Sequence, residues 1–375
     1  MAGGNGSRWG TEMRLLFALP GFHRHDRGAE VALLAVASGL AQLGDAVTVV
    51  GSGPVRDGQA YRYMQVPSIG RERFESFPFG PFFRNETAYE DLTFALGLLR
   101  KVRPSDYDVT LTCAYPFTNW SLRRGRAAHV FVTQNGDWPA YSRNSEFRFF
   151  GCDGLVCTNP DYYNRNRARW PAALIPNGID PADFLPGPSE RARFGLPEGT
   201  PVVLMVSALI ESKRVLDGIR AVALVPGAHL VVAGDGPMRN QVDHAAAEAL
   251  TGRFTRLTLP AKCMPKLYRS ADVFLHLSKA ESFGNVFVEA LASGLPVVAH
   301  DTSRTRWIVG EEQFLTDTDP PESTAAAIRA AIAADPALSE SRRARAQVFG
   351  WQRIVAQYRA FLADVVERRA VPIKR

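Results

Sequence analysis

No run of eighteen apolar residues occurs anywhere in the chain, so no segment has the length that a membrane-spanning helix needs. The opening residues, Met1 to Glu12, are glycine-rich and polar and lack the apolar core of an export signal. Both absences point to a cytoplasmic protein that reaches at most to the inner face of a membrane, with a disordered tail over residues 1–12. Cysteine is scarce as well. Cys113, Cys152, Cys157 and Cys263 form no C-x2-C pair and no paired zinc spacing, which excludes a zinc ribbon and leaves buried free thiols as the expectation. Short-period repeats and low-complexity tracts are also missing, which excludes solenoids and linker-like polymers.

What is present is ample apolar material. With 375 residues, 46% of them hydrophobic, the chain can build two domains that each bury a core. A formal net charge of +6 favours anionic partners, among them sugar nucleotides, phospholipid surfaces and nucleic acid. No nucleic-acid motif accompanies that charge, so nucleic acid is not expected as a partner. The arginine clusters at Arg123, Arg124 and Arg126 and at Arg342, Arg343 and Arg345 read as solvated helix faces.

Apolar runs alternate with helical periodicity. Leu15 to Leu19 reads as a strand, Leu33, Val36, Leu40 and Leu43 as one face of a helix stopped by Gly44, and Val47 to Val50 as the next strand. The alternation continues through a helix over residues 86–102 and strands at 109–112, 129–133 and 155–157. The turn-rich Ile175-Pro176-Asn177-Gly178-Ile179-Asp180 marks a domain boundary. A second series follows, with strands at 202–206, 230–233, 273–277 and 297–299 separated by helices. Strands spaced by helices give a mostly parallel sheet, so the expected fold class is α/β with two doubly wound, Rossmann-like domains, over residues 13–176 and 177–350. Trp351, Ile354, Val355, Tyr358, Phe361, Leu362 and Val365 form an apolar stripe on a C-terminal helix over 351–375, which covers either the second domain or, packing back, the first.

In such sheets ligands bind beyond the carboxyl ends of the strands. Gly234-Asp235-Gly236-Pro237 is a tight strand-to-helix turn and equally a candidate binding loop. In Glu281-Ser282-Phe283-Gly284-Asn285-Val286-Phe287-Val288-Glu289 one carboxylate stands before a helix N-terminus and another about one turn inside it. The helix N-terminus suits phosphates, Glu289 suits ribose hydroxyls and Glu281 a transferred sugar, although spacing alone fits two solvated carboxylates as well.

These residues resemble the GT-B retaining glycosyltransferases of the family with an E-x7-E motif, family 4. Gly28-Ala29-Glu30 is similar to its Gly-Gly-x-Glu entry, Ile175 to Asp180 to its I-P-N-G-[IV]-D, Gly234 to Pro237 to its G-D-G-P, Leu267 to Leu277 to its L-Y-x-x-A-D-V-F-L, and Glu281 to Glu289 to the E-x7-E segment. Five motifs in order are specific. The resemblance implies two domains facing an interdomain cleft and metal-independent transfer from a nucleoside diphosphate sugar, of UDP or GDP type, to a glycan, lipid-linked or natural-product acceptor, with no other cofactor. It implies donor contacts from Gly28, Ser207, Lys213, Arg214, Gly234, Phe283, Gly284, Asn285, Val286 and Glu289, and catalytic roles for Glu281, Lys213 and Gln134.

The chain departs from the family at three places. Ser207-Ala208-Leu209 stands for Gly-Arg-Leu, which leaves Arg214 or Arg304 to replace the missing arginine on the diphosphate. Gln134 stands for the first-domain histidine and can hydrogen-bond but not titrate. His300-Asp301-Thr302-Ser303-Arg304-Thr305-Arg306-Trp307 is bulkier and more basic than the usual S-D-x-G-G-x-P-E. A donor epimerase or hydrolase and an inactive sugar-nucleotide-binding scaffold are the competing readings.

Three further features have plainer readings. The phenylalanines Phe74, Phe77, Phe79, Phe82 and Phe83 fit loop packing, with an acceptor or membrane contact as the alternative. Asp317-Thr318-Asp319 reads as a surface turn. Gly51-x-Gly53 fails as a dinucleotide fingerprint because Arg56 occupies the third glycine position.

Overall fold

Buried apolar strands that alternate with amphipathic helices stack mostly in parallel, and the computed structural model shows two such stacks. It describes residues 12–134, 136–141, 145–310 and 314–370. The expected tail therefore falls, apart from Glu12, outside the described residues, as do Asn135 and residues 142–144 of the loop after 134. The chain divides into one unit of residues 1–177 with 351–375 and a second of residues 178–350.

Among the described residues the first unit holds β1 (Arg14–Ala18), α1 (Gly28–Gln42), β2 (Ala46–Gly51), β3 (Arg62–Gln65), α2 (Glu86–Lys101), β4 (Val109–Thr112), α3 (Phe117–Leu122), β5 (Ala128–Val132), β6 (Gly154–Cys157), α4 (Pro160–Asn166) and β7 (Ala172–Leu174). Its sheet runs β3-β2-β1-β4-β5-β6-β7, parallel throughout. The strand order reverses between β1 and β4.

The second unit holds β8 (Val202–Val206), α5 (Val215–Ala223), β9 (His229–Ala233), α6 (Arg239–Ala249), β10 (Phe254–Leu257), α7 (Met264–Tyr268), β11 (Val273–His276), α8 (Asn285–Ala292), β12 (Val297–His300), α9 (Ser303–Val309), β13 (Phe314–Thr316), α10 (Pro321–Ile332) and α11 (Leu338–Gln347). Its parallel sheet runs β10-β9-β8-β11-β12-β13, and the switch point lies between β8 and β11. Both faces are covered. Leu204, Val231 and Phe274 pack under Phe287 and Leu291 of α8, and Val203, Val232 and Leu275 pack under Ile219 and Val222 of α5 and Ile328 of α10. The fold is α/β, with two Rossmann-like units of the GT-B kind.

The last helix, α12 (Trp351–Ala370), belongs to the first unit. Ile354, Val355, Tyr358, Leu362 and Val365 pack with Leu33, Val36, Ala37 and Leu40 of α1. Gly39 permits the approach, since a Cβ there would stand 2.4 Å from a Val355 methyl. Arg359 anchors the helix on the buried Asp45 carboxylate at 3.0 Å.

Two readings require correction. Arg342 and Arg345 are not on a solvated face. Arg342 is buried and donates to the Gly294 carbonyl at 3.3 Å, and Arg345 donates to the carbonyls of Ile308 and Trp307. Carbonyls at the ends of α8 and α9 need donors, and these long side chains supply them. Nor is Asp317-Thr318-Asp319 merely a surface turn, because it follows an unread strand, β13, and Thr318 is buried.

Glycines 51 and 53 also gain a physical reason. A Cβ on Gly51 would meet Phe22 at 2.5 Å and one on Gly53 the His23 backbone at 2.1 Å, so both are small in order to admit the loop after β1. The phenylalanine-rich stretch packs largely on its own unit. Phe74 stacks on Tyr89, Phe83 lies against Tyr89 and Phe117, and Phe82 meets Trp120 edge-on.

Candidate donor site at the second switch point

The reversal of strand order between β8 and β11 leaves two loops diverging from neighbouring strand ends, and each delivers one charged group. After β8 the chain passes Ser207-Ala208-Leu209 and a single 3-10 turn at Glu211–Lys213. Arg214 then takes a left-handed conformation, φ +55°, and α5 begins. After β11 the chain runs through Lys279 and Glu281 to Gly284, whose φ of +94° makes it the N-cap of α8. A Cβ at Gly284 would lie 2.7 Å from the Phe287 ring, and as glycine it offers no side chain to cap the first amides of α8.

Lys213 and Glu281 meet. The ammonium donates to Glu281 Oε1, and the same oxygen lies 3.1 Å from His276 Nε2. Burial pushes the Glu281 carboxyl up, but the hydrogen bond and charge from His276 and then from Lys213 outweigh burial and hold it at about 2. Arg304, buried under this loop, donates to the carbonyls of Glu281 at 2.7 Å and Lys279 at 3.0 Å. It fixes the loop backbone and is thereby committed to the protein.

Arg214 is committed more fully. Nε donates to Asp217 at 2.7 Å, Nη1 to Thr318 Oγ1 at 2.9 Å and to the Leu277 carbonyl at 3.5 Å, and Nη2 to the Thr318 carbonyl at 2.9 Å, with Asp319 at 3.0 Å. These five contacts match the five N–H groups of a guanidinium. Arg214 is therefore a clamp that sets the position of Lys213. Arg214, expected on the diphosphate, thus has its donors drawn inward by the buried Thr318 carbonyl and hydroxyl.

The Gly234-Asp235-Gly236 turn lies directly on the loop after β8. A Cβ on Gly234, φ +156°, would stand 1.8 Å from the Ser207 carbonyl oxygen, and one on Gly236 would stand 2.6 Å from that of Leu209. Backbone hydrogen bonds close the contact, Leu209 donating to Asp235 at 2.9 Å and Met238 to Leu209 at 3.0 Å. Ser207 Oγ is buried here with no hydrogen-bond partner among the described residues, which leaves a polar group available to a ligand.

Glu289, one turn into α8, accepts from the Tyr268 hydroxyl at 2.8 Å through Oε2. Burial raises both groups' pKa values, and for Tyr268 the neighbouring carboxylate raises it further. The Phe283 side chain is core, packed on Trp307 and Phe349, so what it brings to the site is backbone.

The remaining candidates lie in the first unit. Gly28 opens α1 with open space where a Cβ would be. The Gln134 amide is buried in a reciprocal pair with Asn177, each donating to the other's carbonyl oxygen.

The sequence reading missed His276 and the locking roles of Arg214 and Arg304. For His276 a signal was present, since a lone imidazole in the buried run Val273-Phe274-Leu275-His276-Leu277 needs a polar partner. Among the described residues no group of three His, Cys, Asp or Glu stands together in a way that could hold a metal ion.

Comparison with known proteins agrees with this architecture. Residues 188–348 match the family described as Glycosyl transferases group 1, and residues 27–183 match Glycosyltransferase Family 4. A lipopolysaccharide core biosynthesis glycosyltransferase of Rhizobium meliloti is 29% identical over 60% of this chain and 65% of its own length. The chain thus spans less than two thirds of that relative. Sucrose-phosphate synthase of Thermosynechococcus elongatus superposes with a TM-score of 0.76 at 21% identity, covering 96% of this chain and 100% of that one. An Anabaena protein, HepE, solved with UDP and glucose, gives a TM-score of 0.72 at 20% identity, covering 94% and 100%.

Proposed function

The chain belongs to the group 1, family 4 glycosyltransferases, and on that premise we propose that it transfers a sugar from a nucleoside diphosphate sugar to an acceptor hydroxyl, with retention and without a metal. The observation that carries this reading is the convergence of Lys213, Glu281 and the α8 N-terminus at the β8–β11 switch point. Breaking the glycosyl–phosphate bond leaves extra negative charge on the diphosphate. An ammonium and a helix N-terminus stabilise that charge as it develops, the task a divalent ion performs in other transferases. Glu289 receives the ribose hydroxyls on its second oxygen, and Glu281 the sugar. In front-face transfer the leaving phosphate oxygen takes the acceptor proton, so no protein base is needed, in keeping with glutamine at position 134.

UDP or GDP is the proposed nucleotide, and the UDP and glucose bound to the Anabaena neighbour support the first. Calorimetric titration with UDP, GDP, ADP and dTDP, with Glu289→Ala as control, tests the reading. One nucleotide binding to wild type and lost in the variant supports it. Binding of none overturns it.

A lipid-linked or membrane-borne acceptor is the more specific reading. Phe77, Phe79 and Phe149 are 46%, 56% and 50% exposed on the first unit, with the Arg148 guanidinium 4.9 Å over the Phe149 ring. Aromatics beside cations suit an anionic membrane surface. Flotation with phosphatidylglycerol vesicles, abolished in Phe77→Ser/Phe79→Ser, is the expected result, and equal flotation of both proteins refutes it.

A further inference from the structure

We propose that His276 is a positioning residue that holds the Glu281 carboxylate in place when Lys213 leaves it for the donor diphosphate. The inference rests on the donor-site reading above and adds a residue to it. Three observations carry it.

First, β11 is apolar apart from His276, which is 3% exposed. An imidazole buried this deeply in a parallel strand is costly unless it has a partner. Its Nε2 partner is Glu281 Oε1 at 3.1 Å. Second, the ring is held by its neighbours. Phe287 of α8 meets it edge-on with centroids 4.8 Å apart, and Phe274 of its own strand lies nearly parallel at 6.1 Å. Third, Glu281 Oε1 has two donors, Lys213 and His276, on different elements and of different mobility. The lysine ends a flexible stem in a loop, whereas the imidazole is packed in a strand.

A diphosphate carries more negative charge than one carboxylate, so a bound donor draws the Lys213 ammonium toward its phosphates. If Lys213 were its sole partner, Glu281 would then be a largely buried carboxylate with its charge uncompensated, free to turn from the sugar toward water. Its backbone cannot follow, because Arg304 holds the Glu281 and Lys279 carbonyls. His276 does not move with the lysine and continues to hold Oε1, which keeps Glu281 aimed. Glu281 meets the His276 ring directly and Lys213 reaches the same carboxylate oxygen, while the ring's pairing neighbour on β12, Ala299, brings no charge.

The test is calorimetric titration of wild type, His276→Leu and His276→Gln with UDP, GDP, ADP and dTDP, and with the glucose conjugate of whichever binds. His276→Leu should change affinity for the diphosphate by less than about threefold while the affinity ratio of conjugate to diphosphate falls about tenfold, the scale of losing an orienting partner. His276→Gln, whose amide nitrogen reaches about as far as Nε2, should restore most of that ratio. Equal losses on both ligands, an unchanged ratio in His276→Leu, or no restoration by glutamine each overturn the proposal. If His276→Leu does not fold, His276→Asn, with an amide too short to reach Glu281, takes its place. If wild type binds none of the four nucleotides, the donor reading falls. The coupling is then decided by thermal midpoints of His276→Leu, Lys213→Met and the double variant, where additive shifts refute it and non-additive shifts support it.

Discussion

Lys213 and Glu281 are 68 residues apart in the chain, yet they close an ion pair over the point where the strand order of the second sheet reverses. Each charge arrives from its own strand end, and the pair engages the charge that a phosphate would need. Replacing the lysine by methionine keeps the stem and removes the charge. Lys213→Met should weaken binding of the preferred nucleoside diphosphate at least about tenfold, as expected for a charge-assisted contact, and titration calorimetry measures it.

The two carboxylates of the E-x7-E segment should separate by ligand. Glu289→Ala is expected to weaken binding of nucleotide and nucleotide sugar alike. Glu281→Ala should leave nucleotide affinity nearly intact and lower turnover of the sugar nucleotide by about a hundredfold. The comparison needs only binding isotherms and a donor-consumption assay. A nucleotide affinity unchanged in Glu289→Ala would remove the ribose assignment.

The pH dependence of stability has a definite sign at Glu281. Its carboxyl, held at about 2 against an ordinary 4.5, adds stability that is fully present above 4.5 and is lost as pH falls toward 2. Buried Asp91 of α2, raised to about 6 by burial, acts oppositely and gains stability as pH falls through 6. Only a difference isolates one group. Urea unfolding of wild type and Glu281→Gln should converge between about pH 4.5 and 2, with wild type losing its lead.

Arg214 should behave as a structural part and not as a ligand contact. Arg214→Lys keeps the charge but cannot reproduce five directed donors, so it should destabilise by about 2 kcal/mol in chemical denaturation, close to the cost of Arg214→Ala. Full stability of the lysine variant would show that charge alone suffices.

How far the fold is legible in the sequence follows the position of each strand. Leu15 to Leu19, Val202 to Val206 and Leu230 to Ala233 are inner strands covered on both faces, so they are unbroken apolar runs that stand out. The strands that sequence reading passed over are β3, β7, β10 and β13, and all four are sheet edges. An edge strand is solvated along one side and tolerates residues such as those of Arg62-Tyr63-Met64-Gln65, which carry no such run. The stripe on α12 was legible as a stripe, but its partner α1 was not, since periodicity shows which face is covered and not what covers it. At the site, Lys213 came from motif resemblance alone, and Glu281 and Glu289 from their places at a helix N-terminus as well. The contact between Lys213 and Glu281 depends on which strands are neighbours in the sheet, which no local pattern encodes. Arg214 was read as a replacement for the arginine missing at Ala208, and its engagement with Thr318, 104 residues on, was not legible because that contact too depends on which strands are neighbours.

Gly234→Ala tests how tightly the two loops beside the site are joined. The substitution places a methyl 1.8 Å from the Ser207 carbonyl and strains a φ of +156°, so a loss of at least about 2 kcal/mol is expected in urea unfolding.

That joint bears on how such proteins can be altered. Because residues 207–209 and 234–238 share backbone hydrogen bonds and have no room between them, they behave as one exchangeable cassette. A graft meant to change donor choice that moves the first segment without the second would import a carbonyl with no glycine to receive it, whereas moving both together preserves the seam.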